Sequence, residues 1–295
     1  MRAELEQSFE LELHDSVWPP ARDELLARVA GTDGLMLMLT DRVDDELLDA
    51  AGPQLRIVAD YAVGIDNIDV DACRRRGVVV SNTPDVLTET TAELTIAILL
   101  ALLRRVAEGD RLIRRGEEWI WAPNLMLGHG LPGLVLGLVG HGRIGQAVER
   151  LARAHGMEVI YSTRASGLPL DELLTAADVV SLHLPLTAES RHLIDTAALA
   201  RMKPTAVLVN VSRGPIVDEA ALVEALTEGG IAGAALDVFE REPEVHPGLL
   251  ELENVVLVPH LGSATEETRE AMGMLCVDAL RAVLLEGRTP PNAVV

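Results

Sequence analysis

The chain has 295 residues, 48% of them apolar, with 46 acidic against 25 basic side chains and a formal charge of -21. That length exceeds one ordinary hydrophobic core and predicts two domains, while the apolar content predicts a globular protein over a disordered one. The acidic balance, with no basic stripe to offset it, argues against nucleic acid and membrane partners, because phosphate binding relies on clustered cations.

The longest largely apolar run, residues 94–103, is about half of a membrane span, and no basic-then-apolar leader is visible, so a cytoplasmic protein is expected. Cys73 and Cys276 show neither metal spacing nor a disulfide framework, so both are read as reduced core thiols and no metal is expected. An anionic substrate would be repelled at long range by the net charge. An enzyme acting on one has to concentrate positive charge locally, which directs attention to internal arginines.

In chain order, β-like runs at 35–39, 55–62, 78–82, 134–139, 158–162, 178–184, 206–211, 231–238 and 255–258 alternate with helical segments, the pattern of a parallel α/β protein. The run from Glu93 through Arg105 to Arg115 reads as one long helix. Asp218, ahead of Leu222, Val223 and Leu226 at helical spacing, marks a helix start, and Gly229-Gly230 marks its stop. No repeat, low-complexity tract or linker marks a domain boundary.

Between the run at 134–139 and a helical segment at 146–155 lies Gly140-His-Gly-Arg-Ile-Gly145. Strand, GxGxxG turn and helix follow in the required order, and the run at 158–162 completes a βαβ unit. Gly140, Gly142 and Gly145 permit a tight turn, close backbone approach to a pyrophosphate and close helix–strand packing. The helix start, with Arg143 and Ile144, attracts the phosphate charge. At the end of the next strand, Ser162-Thr163-Arg164 lacks the acid that in NAD-preferring enzymes accepts from the ribose 2′-hydroxyl. Arg164 can pair with a 2′-phosphate while Ser162 or Thr163 donates a hydroxyl hydrogen bond, so NADP(H) is expected to be preferred, with NAD(H) as the alternative cofactor.

Arg213, Glu242 and His260 each follow an apolar run, at the strand ends where open parallel sheets bind ligands. Histidine exchanges protons near neutrality and a neighbouring carboxylate favours its imidazolium form, while a planar guanidinium matches a substrate carboxylate. The other histidines, among them His141, His183 and His246, have no such partner pattern and are read as structural or exposed.

These residues stand in segments that together resemble the D-isomer-specific 2-hydroxyacid dehydrogenases, especially their glyoxylate and hydroxypyruvate reductase branch, over almost the whole chain. The segments are Val63-Gly-Ile-Asp-Asn67, Asn82-Thr-Pro-Asp-Val-Leu-Thr-Glu-Thr-Thr-Ala-Glu93, the glycine turn, Pro185-Leu-Thr187, Asn210-Val-Ser-Arg-Gly214, Leu236-Asp-Val-Phe239 through Glu242-Pro243, and Pro259-His-Leu-Gly-Ser-Ala-Thr265. The resemblance implies an α/β fold of two Rossmann-like or flavodoxin-like parallel-sheet domains with an active-site cleft between them. A discontinuous substrate domain would comprise residues 1–93 and 267–295, and a dinucleotide-binding domain residues 94–266. It also implies a homodimer.

By the same resemblance, His260 would be the general acid, Glu242 the carboxylate holding its ring, and Arg213 the clamp on the substrate carboxylate and keto oxygen. Val63 and Gly64 would offer backbone N–H groups to that carboxylate. Pro185, Val211, Ser212, Asp237 and Gly262 would add cofactor contacts. Trp119 and Trp121 would line the substrate mouth or simply pack. The implied reaction is NAD(P)H-dependent reduction of a small 2-oxo acid, glyoxylate or hydroxypyruvate, to its D-2-hydroxy acid. The alternatives are reduction of a larger 2-oxo acid such as a keto-sugar acid, or a non-catalytic dinucleotide-sensing binding protein.

One feature departs from the family pattern. Its members open with a strand and a Thr-x-x-Leu-Pro-Glu segment, whereas Met1-Arg-Ala-Glu-Leu5 reads as the middle of the first helix. The sheet of the first domain is therefore expected to lack one central strand, or to fill the gap with another segment or subunit.

Overall fold

Short polar side chains set many of the helix starts. Asp44 accepts from the Leu47 N–H, Asp69 from Ala72, Asp195 from Ala198, Asp218 from Ala221 and Thr265 from Thr268, each satisfying one of the amides that a first turn leaves unpaired. The computed structural model describes residues 1–295. They form two compact units, Met1–Leu87 with Thr265–Val295, and Thr88–Ala264.

The first unit runs α1 (Arg2–Ser8), α2 (Arg22–Arg28), β1 (Gly34–Leu37), α3 (Asp45–Ala51), β2 (Ile57–Asp60), α4 (Val70–Arg76) and β3 (Val79–Ser81). The second begins with α5 (Thr88–Leu103), α6 (Val106–Arg114), β4 (Val135–Val139), α7 (Arg143–Ala154), β5 (Glu158–Ser162), α8 (Leu170–Ala176) and β6 (Val179–Leu182). It continues with α9 (Thr196–Leu199), β7 (Val207–Asn210), α10 (Glu219–Thr227), β8 (Gly233–Leu236), α11 (Pro247–Leu250) and β9 (Val255–Leu257), and α12 (Glu266–Leu284) returns the chain to the first unit.

The sheet of the first unit has three parallel strands in the order β1-β2-β3. The C-terminal residues run antiparallel beside β3, with Val294 N–H donating to Val80 at 2.7 Å and Val80 N–H to Val295 at 3.1 Å. On the other side β1 is an edge strand, so the expected shortfall takes the form of an open edge and not of a hole between strands. Residues 11–15 carry no strand, and Arg28 holds them by donating to Glu12 and to the Leu13 carbonyl. Ile57 and Ala59 on β2 pack against Cys276, Val277 and Leu280 of α12, while Val58 and Val80 pack toward α3 and α4.

The second unit holds a six-stranded, all-parallel sheet in the order β5-β4-β6-β7-β8-β9. Strands β6, β7 and β8 are buried along their full length, as expected when helices cover both faces. One face packs on α5 and α7 through Leu99, Leu136, Leu138 and Val148, and the other on α8, α9 and α10 through Leu173, Leu182, Leu208 and Leu222. The strand order reverses direction at β4, between β5 and β6, and a crevice at such a reversal is where doubly wound sheets bind their ligands.

The long helix read at 93–115 is two helices. Arg105 adopts φ of +53°, its N–H bonds to the Leu102 carbonyl, and its guanidinium grips Glu108 at 2.6 and 2.8 Å, which ends α5 and starts α6 in a new direction. No helix is long and apolar enough to cross a membrane. Cys73 and Cys276 are both buried free thiols, as read, and burial pushes them up to about 11 and about 12.

Candidate active site

The glycine turn sits at the strand-order reversal, and its three glycines meet different surroundings. Gly140 has φ of +94°, and a Cβ there would lie 2.2 Å from the His183 carbonyl oxygen at the end of β6. At Gly145 a Cβ would lie 2.6 Å from the Gly140 carbonyl oxygen, so the start of α7 rests directly on the turn. Gly142 differs: a Cβ there would meet nothing within 4 Å. The middle glycine therefore faces open space where a ligand's pyrophosphate can approach the backbone, and no side chain caps α7 at this end. Arg143 is exposed and Ile144 half-buried beside it. These residues fit a bound dinucleotide.

His141, within the turn, is a structural residue. Its ring stacks on Tyr161 at 4.2 Å and one nitrogen bonds Glu149 of α7 at 2.6 Å, which ties turn, strand and helix together. His183 bonds Ser181 at 2.8 Å, and burial pushes its imidazole below the ordinary value of 6.5. His246 accepts from the Gly248 N–H at the start of α11.

At the end of β5, Ser162 is buried and the Thr163 hydroxyl is engaged within its own loop, bonding the Ser166 carbonyl at 2.8 Å and the Ser166 N–H at 2.9 Å. Arg164 extends into solvent, 78% exposed, and touches Glu189 at 3.2 Å and Thr187 at 3.3 Å. Pro185 follows β6, and its carbonyl accepts from the Ser190 hydroxyl at 2.8 Å.

Arg213, Glu242 and His260 all follow C-terminal strand ends of the same sheet, after β7, β8 and β9. Val211 is buried, Ser212 donates its hydroxyl to the Leu182 carbonyl, and Asn210 donates from its side chain to the Arg213 carbonyl at 2.9 Å, which fixes the turn that presents Arg213. Glu242 and His260 form the expected pair: Nδ1 of the ring lies 2.9 Å from Oε2 of the carboxylate. Both side chains are a little over a quarter exposed. The second carboxylate oxygen accepts from the Phe239 N–H at 3.0 Å. Burial raises the proton affinity of Glu242, but the His260 bond, the His260 charge, the Phe239 amide and the Arg213 charge outweigh it and hold the carboxyl below its ordinary 4.5.

His260 has φ of +53°, a conformation that non-glycine residues adopt only when surrounding bonds enforce it. Asp237 enforces it. Its carbonyl accepts from the His260 N–H at 2.9 Å, and its buried carboxylate accepts from the Leu261 N–H and, at 2.9 Å, from the Gly262 N–H. Burial pushes the Asp237 carboxyl above its ordinary 3.8 despite those donors and the His260 charge. Thr91 of α5 adds a bond to the Gly262 carbonyl at 3.0 Å. Sequence reading assigned no role to Thr91, although it lies in one of the family-like segments.

Val63 and Gly64 belong to the first unit, just past β2, where Asn82 donates to the Val63 carbonyl at 2.8 Å. Trp119 and Trp121 are both largely exposed, at 60% and 78%.

A glycine turn at a sheet reversal, with a carboxylate–imidazole pair and an arginine on neighbouring strand ends, defines a nicotinamide-dinucleotide-dependent oxidoreductase. Residues 96–262 match the family described as D-isomer specific 2-hydroxyacid dehydrogenase, NAD binding domain. A glyoxylate reductase of Korarchaeum cryptofilum is 49% identical over 99% of this chain and 91% of its own. A crystal structure of a Thermus thermophilus protein is similar with a TM-score of 0.93 at 49% identity, covering 98% of this chain and 94% of that one. An NADPH-dependent glyoxylate/hydroxypyruvate reductase of Sinorhizobium meliloti, solved with NADP and malonate, is similar with a TM-score of 0.82 at 39% identity, covering 91% and 86%. The chain belongs to the D-isomer specific 2-hydroxyacid dehydrogenase family.

Proposed function

We propose that the protein reduces a small 2-oxo acid, glyoxylate or hydroxypyruvate, to the D-2-hydroxy acid, with NADPH as the preferred donor. The observation that carries this reading is the Glu242–His260 pair at 2.9 Å on the strand ends beside Arg213. When bound, the reduced nicotinamide supplies the hydride. His260 gives the proton from Nε2 to the keto oxygen, while Glu242 on Nδ1 keeps the ring oriented. Arg213 holds the substrate carboxylate and polarises the keto oxygen, its fork of donors matching both. Against a net charge of -21, this local cation is what an anionic substrate requires. Val63 and Gly64 add backbone N–H donors to the substrate carboxylate.

For the cofactor, Gly140, Gly142, Arg143, Ile144 and Gly145 take the pyrophosphate, and Ser162, Thr163 and Arg164 the adenosine ribose. Pro185, Val211, Ser212, Asp237 and Gly262 line the remainder. The preference for NADPH rests on the missing acid at Thr163 and on the exposed Arg164 guanidinium. The exposed Trp119 and Trp121 are consistent with an assembly, which we take to be a homodimer.

The test is a panel of 2-oxo acids assayed for reduced-nicotinamide oxidation with NADPH and with NADH. The expected result is turnover of glyoxylate and hydroxypyruvate at higher kcat/KM than keto-sugar acids, and higher with NADPH. Preference for a keto-sugar acid selects the second substrate class, and no turnover with any 2-oxo acid refutes the enzyme reading.

A further inference from the structure

Directly behind Arg213 and Glu242 lies a set of ionisable residues for which the proposed reaction has no chemical use. Glu240 follows β8 and Glu219 opens α10, and their carboxylates bond each other's main chain reciprocally. Glu240 N–H donates to Glu219 Oε1 at 2.7 Å, and Glu219 N–H reaches Glu240 Oε2 at 3.5 Å. His192, with φ of +50°, places Nε2 2.8 Å from Glu240 Oε1. The main chain on either side is laced in the same sense: His192 N–H donates to the Pro215 carbonyl at 2.8 Å and Ile194 N–H to Ile216 at 3.1 Å.

The chain after Arg213 has no freedom of its own. A Cβ on Gly214 would fall 1.9 Å from the Phe239 carbonyl carbon and oxygen and 2.5 Å from the Glu240 nitrogen, so the Arg213–Gly214 step rests on the Phe239–Glu240 peptide. Phe239 in turn donates to Glu242. A displacement of Glu240 therefore moves both Arg213, one residue before the contact, and Glu242, two residues after it. Carboxylates suit the joint because the main-chain groups they meet there, the Glu240 and Glu219 N–H, are donors. Burial, and after it the Glu240 charge, raises the Glu219 carboxyl, against the Glu240 N–H and the His246 charge and N–H; Arg191 lies 4.0 Å from Glu240, and Asp218 3.9 Å from the other His192 nitrogen.

We propose that Glu240 is a positioning residue for the reaction: clasped to Glu219 and closed by His192, it sets the spacing between the Arg213 and Glu242 side chains. The proposal rests on the function given above for Arg213, Glu242 and His260, and its test separates the two. Glu240→Ala, Glu240→Gln and His192→Ala would be compared with wild type for kcat, cofactor dissociation constant, the pH profile of kcat, and the NMR titration of the His260 ring, which is assigned by its loss in His260→Ala. A misplacement well under 1 Å is enough for a fall in kcat of about tenfold in Glu240→Ala. The cofactor dissociation constant should stay within about twofold, the pH profile and the His260 titration should both move, and Glu240→Gln should restore most of the rate. If Glu240→Ala does not fold, His192→Ala carries the test, with a smaller fall in kcat and the same movement of the His260 titration. A wild-type kcat, pH profile and His260 titration in the folded variant would overturn the proposal. A wild type with no 2-oxo acid turnover would instead sink the function it rests on, while the His260 titration still reports whether Glu240 acts on the site.

Discussion

Removal of the Asp237 carboxylate should damage stability and turnover together. In Asp237→Ala the Gly262 N–H is left buried without its acceptor, and the half-exposed Leu261 N–H can turn to water. A hydrogen bond to a charged group contributes about 1.5–3 kcal/mol, and a stranded buried donor costs about 1–3 kcal/mol. Two bonds lost, one of them replaced by water and partly offset because a buried carboxylate is no longer held in the interior, come to about 2–4 kcal/mol. The variant also frees the backbone at His260, whose φ of +53° stores of order 1 kcal/mol and relaxes once Leu261 and Gly262 are no longer clamped. A relaxed His260 is misplaced against the substrate, and a shift of 1 Å costs about a hundredfold in rate. Asp237→Asn keeps one acceptor oxygen and sets an amide group against the other N–H, so it should fall between. Chemical denaturation gives the stability and steady-state assay the rate. Asp237→Ala with stability within about 0.5 kcal/mol of wild type and an unchanged kcat would show that the carboxylate does not hold the His260 loop.

Gly142→Ala should fold with stability within about 1 kcal/mol of wild type, because its Cβ meets nothing, yet weaken dinucleotide binding by about tenfold or more; equal dissociation constants would remove Gly142 from the pyrophosphate site. Arg164→Ala should lower the NADPH to NADH ratio of kcat/KM by about fivefold, a modest figure because an exposed guanidinium is screened by solvent. An unchanged ratio would leave the cofactor preference without its proposed cause. Glu242 has a folded-state pKa below its unfolded value, so its stabilising contribution is present above about pH 4.5 and is lost as the pH falls through the depressed value. Glu242→Gln should therefore show a shallower loss of stability below pH 4.5 than wild type, and equal acid limbs in urea titrations would argue against that shift.

What the sequence made legible was whatever leaves a local signature. The βαβ unit around Gly140–Gly145 is visible because strand, glycines and helix are contiguous, and the approximate positions of the strands follow from short apolar runs between turn residues. Arg213, Glu242 and His260 are visible because each is a polar residue at the end of such a run. The break at Arg105 is not, since Arg104-Arg105 has no glycine or proline and only the left-handed backbone of Arg105 ends the helix. The clamp of Asp237 on the His260 loop and the Glu219–Glu240 clasp escaped for a different reason. Both join segments 20 or more residues apart through side chain to backbone bonds, and an acidic residue gives no sign in sequence of which distant amide it accepts from. The three glycines are alike in sequence, and only the room around each distinguishes packing at Gly140 and Gly145 from ligand access at Gly142.

Proton transfer by His260 is the step on which the proposed reaction depends. With glyoxylate and NADPH, the decisive measurement is kcat for wild type and His260→Ala alongside the NADPH dissociation constant of each. Wild type should turn over, and the variant should lose about a hundred- to ten-thousandfold in kcat while its NADPH dissociation constant stays within about twofold. A His260→Ala enzyme that turns over at the wild-type rate would contradict the role of His260, and a loss explained entirely by weaker NADPH binding would contradict it equally.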